Sequence, residues 1–221
     1  VTDELIHYYA HRSGEAGAVI VESAFVSDEG RGFFGAMGID SDDKIEPLRR
    51  LATAIKNKGS KAIIQIYHAG RMAFPDMNKG QNPISASSVA ALRPNAPTPT
   101  EMTHRDILDM IEAFAQATSR AIKAGFDGVE LHGANTYLLQ QFFSPHSNRR
   151  HDAWGGSIEK RAKFPLEVVR AVKKVIAEEA EQPFILGYRF SPEELEEPGI
   201  RFDDTMYFLN QLAKEEPDYV H

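Results

Sequence analysis

The chain has 221 residues, with 32 acidic against 25 basic side chains and a formal charge of −7, so it lacks the clustered basic excess that displaces counterions from nucleic acid. Hydrophobic residues at 42% and charged residues at 26% are ordinary globular usage, which favours a packed core over disorder. The absence of cysteine excludes disulfides, thiolate metal sites and a cysteine nucleophile, and no apolar run or signal peptide points to a membrane or to export, so a cytoplasmic protein is expected.

Thr2 is placed to cap a first helix that runs to about Ser13 and is closed by Gly14 and Gly17. The apolar, β-branched run Ala18 to Phe25 reads as a strand buried on both faces. A helix from about Lys44 to Lys58 ends at Gly59, and Lys61 to Tyr67 is the next strand. Residues 68–103 are rich in Pro, Ser and Asn and predict a long loop without regular structure, a length more often functional than idle. Thr103 caps a helix over about 104–123, Gly125 stops it, and Gly128 to His132 is a strand. A helix over about 157–180, a strand over 184–189, a helix over 203–214 and a strand over 218–221 complete the series.

Five strands, each preceded by a helix and none joined by a hairpin signal, make a parallel sheet. No glycine-rich phosphate loop follows the first strand, which disfavours an open nucleotide-binding sheet. Polar residues gather at the carboxyl ends of several strands: Glu22 and Ser23, Gln65 and His68, His132 and Asn135, Arg189 and Ser191. A (β/α)8 TIM barrel builds its active site from that rim, so the reading is α/β, one domain over 1–221, forming an incomplete barrel. A whole barrel needs eight strands in about 250 residues, so further barrel segments are expected beyond both ends.

The stretch His132-Gly-Ala-Asn-Thr-Tyr137 directly follows a strand. A histidine and an asparagine offer neutral donors suited to gripping a carbonyl or an oxyanion. A tyrosine beside them, with its pKa ordinarily near 10, suits delivery of a proton. The bland alternative is a rim histidine that merely caps its strand. A metal centre built on His68, His132 and His146 is disfavoured, because their spacing fits no ligand pattern.

The passage 124–170, AGFDGVELHGANTYLLQQFFSPHSNRRHDAWGGSIEKRAKFPLEVVR, resembles the old yellow enzyme family of FMN-dependent oxidoreductases. Three further passages match in order: GAVIVESAFVSDEGRG at 17–32, KAIIQIYHAGR at 61–71 and GYRFSP at 187–192. The resemblance implies a (β/α)8 barrel that takes hydride from NADH or NADPH onto the flavin and passes it to an activated alkene, an enone or a nitro compound. It implies that His132 and Asn135 bind the substrate oxygen and that Tyr137 is the proton donor. Gln65 is then placed at the pyrimidine edge of the flavin, Arg189 near its N1 and O2, and Ser23 behind the ring. Without the resemblance, Gln65 reads as a satisfied interior amide and Arg189 as an ion-pair partner of Glu130. His68, Arg71 and the SNRRHD run at 147–152 are expected to pin loops, with Gly155 and Gly156 permitting the turn. Asn135 stands where many relatives have a second histidine, and Trp154 where tyrosine is usual. A homo-oligomer is possible, as is a flavin-free fragment without activity.

Overall fold

The structure, a computed structural model, describes residues 1–221. Its elements in chain order are α1 (Asp3–Arg12), β1 (Ala18–Phe25), β2 (Met37–Gly38), α2 (Ile45–Lys56), β3 (Lys61–Tyr67), β4 (Ile84–Ser85), β5 (Thr100–Glu101) and α3 (His104–Lys123). They continue with β6 (Gly128–Gly133), α4 (Leu138–Phe143), α5 (Ile158–Glu179), β7 (Ile185–Phe190), α6 (Phe202–Leu212) and β8 (Tyr219–Val220). The boundaries follow local chemistry. Thr2 caps α1 through a bond from the Leu5 N–H, and Thr103 and Asp106 form a reciprocal capping box that starts α3.

Six strands pair in the order β2-β1-β3-β6-β7-β8, every neighbour parallel. Helices α1, α2, α3, α5 and α6 pack side by side in that order, forming one outer layer. A doubly wound sheet covers both faces with helices; one helical layer behind a parallel sheet is the wall of a (β/α)8 barrel. The outer face of the sheet supplies Val21, Ile64, Ile66, Val129 and Leu131, all fully buried against the helices. Helix α2 answers with Leu48, Leu51, Ala52 and Ile55, and α3 with Ile107, Met110, Phe114, Ala117 and Ala121, each set at the three-and-four spacing of one helical face. Each large side chain buried this way contributes about 1.5–3 kcal/mol.

Three expectations are corrected. The first strand is not buried on both faces: Ile20, on the concave face, is 36% exposed, and away from β3 only Ala24 and Phe25 find partners, in β2. The loop 68–103 is not wholly irregular, since it contains 3-10 turns at Gly70–Met72 and Pro75–Met77 and the small parallel pair β4·β5. Helix α4 and strand β2 are additional elements.

Candidate active site

Side-chain alternation places the polar residues of three strands on one face. Gln65 of β3 pairs in register with Glu130 of β6, and two residues on, His132 lies opposite Arg189 of β7. All four therefore project onto the concave face, away from the helices. On β1 the pairing shifts between Val21 and Ala24, so that Glu22 and Ser23 together oppose the single residue Gln65. This bulge re-aims the strand at its carboxyl end and leaves Ser23 half-buried, with no hydrogen-bond partner of its own.

His132 is 3% exposed. Burial, then the positive charges of Arg189 and His221, push its pKa down from 6.5 to about 3, so the ring is neutral at neutral pH. Its Nδ1 accepts the Ala134 N–H at 3.3 Å, which leaves the ring hydrogen on Nε2. The Asn135 carboxamide nitrogen approaches that Nε2 at 3.4 Å. Two N–H groups thus stand side by side without satisfying each other, the arrangement that one external oxygen would complete. Tyr137 packs its ring edge-on to His132, centroids 4.9 Å apart, and against Tyr67 at 5.0 Å. Burial raises the Tyr137 hydroxyl above its ordinary pKa, opposed by the charge of Arg93, so it keeps its proton at neutral pH.

The backbone beneath this trio is unusual. Asn135 and Thr136 both lie in the left-handed region, with φ of 55° and 60°. Asn135 is held by its N–H to Ser191 Oγ at 3.0 Å, and Thr136 by the side chains of Gln140 and Gln141.

The loops behave largely as the sequence predicts. Arg150 donates to Ala86 and Met102 carbonyls at 2.9 and 2.7 Å and pairs with Asp152, pinning both ends of the 86–102 segment to the loop after α4. Buried Arg71 donates to the Val89 and Ala90 carbonyls, and His68 Nδ1 accepts the Gly70 N–H. His68 also holds the Glu29 carboxyl down at about 2, the largest of several effects on that acid. Asn148 donates to the Phe142 and Trp154 carbonyls, and Gly155 lies where a Cβ would sit 2.3 Å from the Asn148 side-chain oxygen. No group of three His, Cys, Asp or Glu side chains is arranged to hold a metal ion.

The flavin-side candidates share the concave face but differ in their partners. Gln65 donates to Glu130 Oε1 at 2.6 Å, so part of its amide is already engaged. Arg189 does not pair with Glu130: the second Glu130 oxygen faces His221 Nδ1 at 3.1 Å, and Arg189 is half-buried with no carboxylate within ion-pair distance. The register explains this, since it sets Gly187 beside Glu130 and Arg189 one step higher, beside His132. Gly187 also makes room for the Tyr219 ring, whose Cζ would lie 2.2 Å from any Cβ added there. Sequence reading missed Gln140, Gln141, His221 and Tyr219 as parts of this region. The one available signal was the pair of amides inside Leu138–Phe143, a helix whose other four residues are apolar.

A sequence profile of the NADH:flavin oxidoreductase / NADH oxidase family matches residues 1–221. The chain is 66% identical, over its whole length, to NADH:acrylate oxidoreductase of Vibrio harveyi, and 53% identical to NADH:fumarate oxidoreductase of Klebsiella pneumoniae (strain 342). It spans only 22% and 24% of those two proteins. Among solved structures, morphinone reductase superposes with a TM-score of 0.88 at 30% identity, covering 100% of this chain and 63% of that one. The old yellow enzyme homologue of Zymomonas mobilis gives 0.87 at 27% identity, with 99% and 63% covered. The cofactors that go with these likenesses are FMN and NADH or NADPH. With its barrel wall, its rim of polar side chains and a match from first residue to last, the chain belongs to the NADH:flavin oxidoreductase / NADH oxidase family of enzymes.

Proposed function

We propose that the chain forms the catalytic wall of a barrel that takes hydride from NADH or NADPH and delivers it to the activated double bond of an α,β-unsaturated carbonyl or nitro compound. The observation that carries this reading is the pair of unsatisfied N–H groups on His132 and Asn135 with the protonated Tyr137 beside them. FMN, when bound, supplies the hydride relay between the nicotinamide and the acceptor. The residues present fit it. Arg189 is a half-buried cation without a counter-charge, facing the same side as Gln65, and the β1 bulge leaves Ser23 small and unpartnered opposite them. Arg189 would stabilise negative charge on the flavin's N1 and O2 edge, Gln65 would offer its remaining amide groups to the pyrimidine edge, and Ser23 would let the ring lie close to the strand.

His132 and Asn135 would grip the carbonyl or nitro oxygen and draw electron density from the alkene, so that its β-carbon accepts hydride. A neutral imidazole suits this, because it donates without surrendering a proton. Tyr137 would deliver the proton to the α-carbon. The relatives named for acrylate and fumarate make α,β-unsaturated carboxylates part of the substrate range to be tried.

A second reading rests on relative length. The chain makes up 59% of YqiG of Bacillus subtilis but only 22% of the Vibrio protein, which therefore holds more than twice as much sequence. In that reading the barrel only receives reducing equivalents, which then leave for another part of a longer protein, and the two donors grip the nicotinamide carboxamide. Morphinone reductase has been solved in complex with tetrahydroNAD, so a relative does bind a nicotinamide nucleotide.

Anaerobic rapid mixing of the complete FMN-loaded protein separates the two. The first reading predicts that NADH bleaches the flavin absorbance and that 2-cyclohexenone or acrylate restores it at a rate that falls in Tyr137→Phe. Restoration by alkene that ignores Tyr137, His132 and Asn135 would reject the first reading and leave the second. Protein that neither binds FMN nor is bleached by NADH would reject both.

A further inference from the structure

Thr136 is a β-branched residue at φ 60°, next to Asn135 at 55°. Left-handed backbone is uncommon for any side chain and a marked outlier for a branched one, so the surroundings must hold it. Both backbone polar groups of Thr136 are taken by side chains of a single short helix. Its N–H donates to Gln140 Oε1 at 2.8 Å, and its carbonyl accepts from Gln141 Nε2. The two glutamines are 3% and 1% exposed.

Their other ends are tied down as well. Gln141 accepts from the Arg71 N–H and the Ser85 hydroxyl at 3.0 and 2.9 Å, and donates to the Ala69 carbonyl at 2.9 Å, all in the loop after β3. Gln140 donates at 2.7 Å to Glu194, a buried acid in the loop after β7. Gly70, at φ 58°, leaves the space: a Cβ there would sit 2.1 Å from Gln141 Oε1.

We propose that Gln140 and Gln141 are positioning residues, which hold Asn135 and Thr136 in the left-handed conformation that sets the Asn135 carboxamide beside His132, and which lock that geometry to the loops after β3 and β7. This rests on the reading of His132 and Asn135 as the oxygen-binding pair. Neither glutamine need touch substrate. A glutamine that merely filled the interior would show no special dependence on the conformation of Thr136, and this distinguishes the two roles.

The test uses the complete FMN-loaded protein, Gln141→Met as a near-isosteric variant without the hydrogen bonds, and Thr136→Gly, since glycine adopts positive φ without steric cost. The probe is 4-nitrophenol, whose phenolate presents one oxygen to the donor pair. Gln141→Met should weaken the probe about tenfold or more, and adding Thr136→Gly should recover most of that loss. Thermal unfolding gives a second readout: Thr136→Gly should raise Tm by more in the parent, where Gln141 keeps Thr136 strained, than in the Gln141→Met background, where Thr136 has already relaxed. If Gln141→Met fails to fold, Gln141→Glu keeps both acceptor contacts, loses the donors to Thr136 and Ala69, and should show the same rescue. Unchanged probe affinity in the Gln141 variants, or a Thr136→Gly effect equal in both backgrounds, overturns the proposal. A parent protein that binds no 4-nitrophenol would instead sink the oxygen-binding reading, with the unfolding cycle still deciding whether Gln141 holds Thr136.

Discussion

The neutrality of His132 makes the stability of the folded protein depend on pH. In the unfolded chain an imidazole takes up a proton near its ordinary 6.5, whereas the folded protein resists until about 3, through burial first and the charges of Arg189 and His221 second. Between those values the unfolded state binds one more proton than the folded state, so stability rises with pH across that window. The contribution is fully present above about pH 6.5 and is lost as the pH falls towards 3. One such proton gives a slope of about 1.4 kcal/mol per pH unit, and His132→Asn should remove it. Chemical unfolding of the complete, flavin-free protein and of the variant, from about pH 7 to about pH 5, should show the parent losing stability faster, by about 1 kcal/mol or more over that range. Glu29, whose carboxyl is held down to about 2, adds its own acid sensitivity only below about pH 4.5. His146, also shifted down by burial, is common to both proteins and cancels in the difference. Nitrogen NMR of the ring should show the hydrogen on Nε2 throughout. A ring that titrates near 6.5, or one protonated at Nδ1, would refute both the electrostatic reasoning and the donor role.

Tyr137→Phe should slow alkene reduction about 10²–10⁴-fold in single turnovers while sparing flavin reduction by NADH, and equal losses in both half-reactions would contradict the proton-donor role. Arg189→Met should lower the two-electron reduction potential of bound FMN by about 30 mV or more, measured by spectroelectrochemistry, because it removes a half-buried cation that no carboxylate neutralises; an unchanged potential would place the flavin elsewhere. Arg150→Met should destabilise the protein by about 1–3 kcal/mol and open residues 86–102 to proteolysis first, since the Ala86 and Met102 carbonyls lose a buried charged donor. Gly70→Ala should cost about 1–3 kcal/mol in unfolding experiments, from crowding against Gln141 at a left-handed position.

Much of the fold is legible where a local signal is strong. The strands Ala18–Phe25 and Lys61–Tyr67 and the helix His104–Lys123 stand where β-branched runs and the Thr103 cap place them. Helix α4 is not legible, because six residues buried on every side show no 3.6-residue periodicity. The two-residue strands β2, β4 and β5 exist only through distant partners, so no local pattern marks them. At the site, His132, Asn135 and Tyr137 can be read from their place after a strand, and the structure brings them together. The partner of Glu130 cannot be read so simply. It depends on register, which puts Arg189 beside His132 and leaves Glu130 to Gln65 and His221. Gln140 and Gln141 reach Thr136 from four and five residues on, but their other partners lie 54 to 72 residues away, and sequence spacing carries no trace of those.

If one oxygen completes the two N–H groups of His132 and Asn135, removing both groups must cost a phenolate its site. Titrating the complete FMN-loaded protein with a phenolate before and after the double replacement His132→Ala and Asn135→Ala decides this. Loss of two donors to a charged oxygen predicts an affinity about 100-fold weaker with FMN still bound. Equal affinity in the two proteins would mean that His132 and Asn135 do not hold the oxygen.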